Sequence, residues 1–221
     1  MPTDLRPREK ALCYGIESLS NHELFMLILR HGNKQSTVSQ IASNLLIYCK
    51  SLSNLARMTH QDLMKISGIK QAKALELSSI LELSKRISRE KAMQTPLLDN
   101  MDAVVNWCKN EIGYQQQESF LVIYLSVASR ILSYEIVFKG TLDRSLIHPR
   151  EIFLGAIKHH AASVIAVHNH PAGTLYPSQM DLKVTQQLLE ASELLQIPLL
   201  DHLIVTSEGA CSIMKYLSKV E

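Results

Sequence analysis

The sequence predicts an all-α N-terminal domain followed by an α+β C-terminal domain, and three observations carry that prediction. From Ser20 to about Glu90 the apolar residues recur at helical spacing. Beyond residue 100, apolar runs of strand length alternate with helical stretches. Between the two, the segment from Arg89 to Asn100 changes character around Pro96. We therefore expect a helical domain over residues 1–90, a linker over 91–99 and a mixed domain over 100–221.

In the helical part, apolar residues recur at helical spacing at Leu24, Leu27 and Ile28, at Ile41, Leu45 and Leu46, and then at Leu77, Ile80, Leu81 and Leu83. Polar breaks at His31–Lys34 and Ser51–Asn54 separate these stretches, and Ser20 fits a helix N-cap. A fresh helix is expected over Asp102–Ile112. Phe120–Leu125 and Ile131–Phe138 are rich in β-branched and aromatic residues and read as two strands joined through Ser126–Arg130. Pro149–His160 reads as a helix with an acidic residue near its start, and Ser163–His168 as a buried strand. Ser178–Leu195 is helical in pattern, and Pro198–Val205 is a last strand. Alternation of this kind implies a layered α+β or α/β domain.

Of 221 residues, 46% are hydrophobic and 20% charged, which is a globular composition and argues against disorder. The net charge of +2 neither demands nor excludes a nucleic-acid partner, so any basic footprint has to be local. Cys13, Cys49, Cys108 and Cys211 are far apart and form no Cys-x-x-Cys pair, which argues against a thiolate zinc knuckle, and four cysteines in a chain this large do not suggest a disulfide framework. The start MPTDLRPREK lacks the apolar stretch of a signal peptide, and no apolar run is long enough to span a membrane. These features predict a soluble, cytoplasmic protein.

The stretch that carries chemistry runs from His168 through His170, Pro171, Gly173 and Pro177 to Ser178 and Asp181. It starts where an apolar strand ends, the place where layered α/β architectures put ligand sites. On extended backbone, residues two apart point to the same face, so the two imidazoles stand side by side. The Gly/Pro loop then brings Asp181 back on the first turn of a helix. Two imidazoles and a carboxylate suit Zn²⁺, and three protein ligands leave a fourth position for water, the pattern of a catalytic site. Ser178-x-x-Asp181 also fits a helix capping box, and Ser178 can cap the helix while presenting its hydroxyl to the site.

His-x-His-Pro followed by Ser-x-x-Asp resembles the signature of JAMM/MPN⁺ metalloenzymes, which are metal-dependent isopeptidases. More closely, the chain looks like a member of the bacterial RadC (UPF0758) family. The matching stretches are Pro7–Lys10, Leu29–Gly32, Gly140–Leu142, His148–Ile152, the metal motif and Leu200–Ile204. The resemblance implies a cytidine-deaminase-like MPN sandwich for the C-terminal domain. It also implies one zinc per chain on His168, His170 and Asp181, with Glu118 as general base and Ser178 as oxyanion helper. Ala172 stands where many members carry serine, a change expected to matter little. Domains of this type often pair, so a homodimer is an expectation.

In the N-terminal half, Ile66–Ala74 resembles the turn of a helix-hairpin-helix motif. Such a turn exposes backbone N–H groups to phosphate, and Gly68, Lys70 and Lys73 would form the DNA contact. Lys70 replaces the usual second glycine, which weakens that reading in favour of a plain helical hairpin. His148, His159, His160 and His202 lie near element ends; any could support the metal site, but structural or surface histidines are the simpler reading. The leading expectation is a zinc-dependent hydrolase acting on a peptide or isopeptide-like bond of an unknown peptide or protein. Two alternatives stay open: a DNA-associated, repair-related module with an idle metal site, and a metal-dependent enzyme acting on nucleic acid.

Overall fold

The structure, a computed structural model, describes residues 6–94, 101–140 and 147–219. The chain divides into two compact units, Met1–Ser84 and Lys85–Glu221. No helix among the described residues is long and apolar enough to cross a membrane.

The described part of the first unit consists of helices and turns. They are α1 (Pro7–Tyr14), α2 (Asn21–Leu29), α3 (Val38–Cys49), α4 (Leu52–Leu55), α5 (His60–Met64) and the start of α6 (Gln71–Gln94). Ser20, Thr37 and Thr59 each open a helix with a capping box, reciprocated by Glu23, Gln40 and Asp62. Phe25, Ile41, Leu45, Leu63, Ile69 and Leu77 form its core. Gly68 sits at φ +91° between α5 and α6, and a Cβ there would meet the Ile41 side chain at 2.5 Å. Both facts explain why this position is glycine.

The division differs from the expected boundary at residue 90. The helix formers from Gln71 to Gln94 contain no breaker, so α6 is one uninterrupted helix. Residues 91–94 of the expected linker belong to it, and Ala92 is buried in the core of the second unit. Residues 95–99 lie outside the described residues.

The second unit is a mixed α+β structure. Helix α7 (Met101–Cys108) passes into a wider turn over Lys109–Gly113, and the sheet begins with β1 (Glu118–Leu125) and β2 (Ile131–Gly140). Then follow α8 (Pro149–Lys158), β3 (Ser163–Asn169), α9 (Gln179–Leu195), β4 (Leu199–Val205), β5 (Ala210–Ser212) and α10 (Ile213–Leu217). The five strands lie in the order β2-β1-β3-β4-β5. All pairs are antiparallel except β3 with β4, which α9 connects. The sheet is covered on both faces, which is why β1 and β3 are near-continuous apolar runs rather than alternating ones. On one face Leu121, Ile123, Ile165, Val167 and Leu203 pack on Trp107 of α7. On the other, Phe120, Val122, Val164 and Ala166 pack on Ile152 and Phe153 of α8 and Val184 and Leu188 of α9. Gly155 of α8 is required by this packing, because a Cβ there would overlap the Tyr124 hydroxyl.

Candidate metal centre

Strands β3 and β4 run parallel and so end together, and that carboxyl edge carries the candidate site. His168 and His170 flank Asn169 there, with relative exposures of 4% and 5%. Their side chains share one side of the extended chain, and Nε2 of one ring lies 3.1 Å from Nε2 of the other. A backbone bond from His170 N to Val205 O (3.2 Å) fixes the end of β3. Gly173, at φ +84°, then turns the loop, and its N–H bonds back to His170 O. The loop delivers α9, whose N-cap is Ser178 and whose third residue is Asp181.

Asp181 is 2% exposed, and its carboxylate faces both rings. Oδ1 is 3.0 Å from His168 Nε2 and Oδ2 is 3.4 Å from His170 Nε2. These three residues form the candidate metal group among the described residues. The separations of 3.0, 3.1 and 3.4 Å test the donor set. Zinc bonds of about 2.0–2.2 Å in tetrahedral geometry place neighbouring ligand atoms about 3.3 Å apart, so the two imidazole nitrogens and the Asp181 carboxylate, which turns Oδ1 to one ring and Oδ2 to the other, are spaced to share one ion. The tautomer of His170 agrees. Its Nδ1 is 2.9 Å from Thr174 O, a carbonyl that only accepts, so Nδ1 carries the proton and Nε2 keeps its lone pair toward the cluster.

Ser178 closes the capping box on the same carboxylate. Its backbone N–H and hydroxyl both donate to Asp181 Oδ2 at 2.7 Å, and its Oγ accepts from Asp181 N at 3.2 Å. Both readings of Ser-x-x-Asp therefore describe one arrangement: the cap orients the carboxylate that faces the two histidines. In this arrangement the Ser178 proton points at Asp181.

Glu118 lines the same pocket as His168 and Asp181, together with Phe120, Phe138, Ile147, Val184 and His202. Register explains its position. Phe120 pairs with His168, so Glu118, two residues earlier, shares the face of that imidazole. Sequence reasoning missed the residue that secures this end of β1. Asn169, between the two histidines and fully buried, points its side chain to the other side of β3. Its Oδ1 accepts from Ser119 N (2.7 Å), and its Nδ2 donates to Gln117 O (3.1 Å) and Gln115 O (3.3 Å). One amide thus clamps the backbone on both sides of Glu118.

His202, expected to be structural, is in the site. It is fully buried on β4, and its Nε2 lies 2.9 Å from His168 Nδ1. The signal available in the sequence was a histidine inside the apolar strand Leu199–Val205, where a buried imidazole requires polar partners. Beside it, burial pushes the Asp201 carboxyl above its ordinary range, although Ser212 Oγ and His202 N both donate to its Oδ1 at 2.8 Å. His159 instead contacts Glu135 at 2.9 Å, His148 precedes α8 as its N-cap, and Ala172 is exposed in the loop. In the first unit, Gly68 forms the turn described above, Lys70 is exposed ahead of α6, and Lys73 Nζ donates to His31 O.

Comparison with known proteins finds relatives over nearly the whole chain. Residues 98–218 match the family model described as RadC-like JAB domain, and residues 1–75 match the one described as UPF0758 N-terminal. A UPF0758 protein of Streptococcus sanguinis is 43% identical over 205 residues, covering 93% of this chain and 90% of the relative. One from Finegoldia magna is 40% identical over 215 residues, covering 97% and 96%. A third, from Enterococcus faecalis, is 38% identical over 213 residues, covering 96% and 92%.

Proposed function

The chain belongs to the UPF0758 family with a RadC-like JAB domain, and from that premise we propose that it is a zinc-dependent hydrolase cleaving a peptide or isopeptide-like amide. One observation carries the reading: two imidazole nitrogens and a carboxylate converge within 3.4 Å, in a pocket that Glu118 also lines.

His168, His170 and Asp181 would hold the ion. When bound, zinc supplies a Lewis acid that polarises a carbonyl oxygen and acidifies water into the neutral range. Glu118 takes the proton of the attacking water and returns it to the departing amine, which makes that amine a neutral leaving group. The Asn169 amide holds Glu118 in place for both transfers. Ser178 keeps the Asp181 carboxylate oriented, and by turning its hydroxyl into the pocket it donates to the oxyanion formed at the attacked carbonyl. Phe120, Phe138, Ile147 and Val184 form the apolar wall that limits water around the reacting groups.

The test is hydrolysis of a panel of peptide and isopeptide substrates by the zinc-loaded protein and its Glu118→Gln variant. Gln keeps the size of the side chain but cannot accept and return the proton. The variant is expected to bind zinc as the wild type does and to lose hydrolysis by about 10²–10⁴-fold. Wild-type turnover in Glu118→Gln would remove Glu118 from the mechanism.

A further inference from the structure

We infer that His202 and Thr185 are positioning residues that set which nitrogen of His168 carries its proton, and so aim the His168 Nε2 lone pair into the cluster with His170 and Asp181. The inference rests on the metal-site reading above, and it concerns two side chains that act on the cluster through His168 and Asp181.

Three contacts determine it. Thr185 Oγ1 lies 2.7 Å from Asp181 O and 2.7 Å from His202 Nδ1, and His202 Nε2 lies 2.9 Å from His168 Nδ1. A carbonyl only accepts, so the hydroxyl spends its single proton on Asp181 O. His202 Nδ1 must then donate to Thr185 Oγ1. A neutral imidazole has one N–H, so His202 Nε2 is an acceptor, and His168 Nδ1 must supply the proton between them. His168 Nε2 is left with its lone pair facing His170 Nε2 and Asp181 Oδ1. The opposite assignment, with the proton on His202 Nε2, puts the hydroxyl to work on His202 and leaves the 2.7 Å contact with Asp181 O without a hydrogen.

Burial makes the arrangement rigid. Thr185 and His202 are fully buried, so water offers neither an alternative partner. Phe120 packs on both rings, parallel to His168 at 6.1 Å and tilted against His202 at 5.3 Å. The anchor of the chain is a backbone carbonyl of α9, one turn from Thr185 and belonging to Asp181 itself. The helix that carries the carboxylate therefore also sets the tautomer of the histidine facing it. Metal-bound histidines usually rest their second nitrogen on a carboxylate, a carbonyl or water; here a second histidine occupies that place.

The experiment measures zinc affinity by chelator competition, together with the ring-nitrogen tautomer of His202 by proton–nitrogen NMR, on the full chain. Thr185→Val keeps the side-chain volume and removes the hydroxyl, whereas Thr185→Ser keeps the hydroxyl and removes the methyl. We expect His202 to carry its proton on Nδ1, and zinc affinity to fall about 10–100-fold in Thr185→Val and His202→Leu, with Thr185→Ser restoring it. A packing role alone would reverse the order of Val and Ser. A wild type that binds zinc while Thr185→Val and His202→Leu bind it equally well overturns the inference and leaves the hydrolase reading standing. So does a His202 proton found on Nε2. A wild type that binds no zinc overturns both.

Discussion

Asn169→Ala separates holding the metal ligands from holding the base. The substitution deletes the acceptor of the buried Ser119 N–H and the donor to Gln115 O and Gln117 O. An unsatisfied buried N–H costs about 1–3 kcal/mol, and each lost amide bond about 0.5–1.5 kcal/mol. The two carbonyls are only partly buried and recover water, so their losses fall at the low end and the total comes to about 2–4 kcal/mol. With a urea slope of about 2 kcal/mol per molar, the unfolding midpoint of the second unit drops by about 1–2 M. Trp107 is the single tryptophan and is fully buried in that unit, so its fluorescence reports the transition selectively. His168 and His170 point to the other side of β3, so zinc content should match the wild type while hydrolysis falls about tenfold or more through a loosened Glu118. An unchanged midpoint would refute the clamp. Loss of zinc with the midpoint preserved would show that Asn169 supports the ligands instead.

Two further perturbations probe the same region. Asp201→Asn keeps an Oδ1 acceptor for Ser212 and His202 but cannot ionise. Burial raises the Asp201 pKa in the folded state, so its contribution to stability is fully present below the unfolded-state pKa and is lost as pH rises through the folded one. The wild type should therefore lose stability relative to the Asn variant as pH rises from acid toward neutral. Urea midpoints of the two metal-free proteins across that range check it, and a difference that stays flat or runs the other way contradicts it. Ser178→Ala removes the α9 cap and one of two donors to Asp181 Oδ2. It should cost about 1 kcal/mol of stability and weaken zinc about tenfold; a variant matching the wild type in both would show that the cap orients nothing.

Much of the second unit was legible because its signals are local. The buried strands β1 and β3 are unbroken apolar runs, and the spacing His-x-His followed by Ser-x-x-Asp brings three donors and a capping box into one turn of chain. What escaped the sequence depends on pairs distant along the chain. Asn169 bonds the backbone at residues 115–119, and His202 reaches His168 only because β4 lies parallel to β3. Strand β5 has three residues, too few for a period-two pattern to show. The boundary between the units was read from Pro96, but the helix formers before it carry α6 past Ser84 without a local break. Gly68 belongs to the phosphate-binding reading of the hairpin turn, and its positive φ and the lack of room for a Cβ beside Ile41 also give it a role in folding the first unit.

The most direct test of the central claim is the metal content of the purified protein by elemental analysis, measured beside a variant carrying His168→Ala and His170→Ala. About one zinc per chain is expected in the wild type and none in the variant, with the fold of both retained by Trp107 fluorescence. A wild type that holds no zinc even after zinc is added, or a variant that holds as much as the wild type, would contradict it.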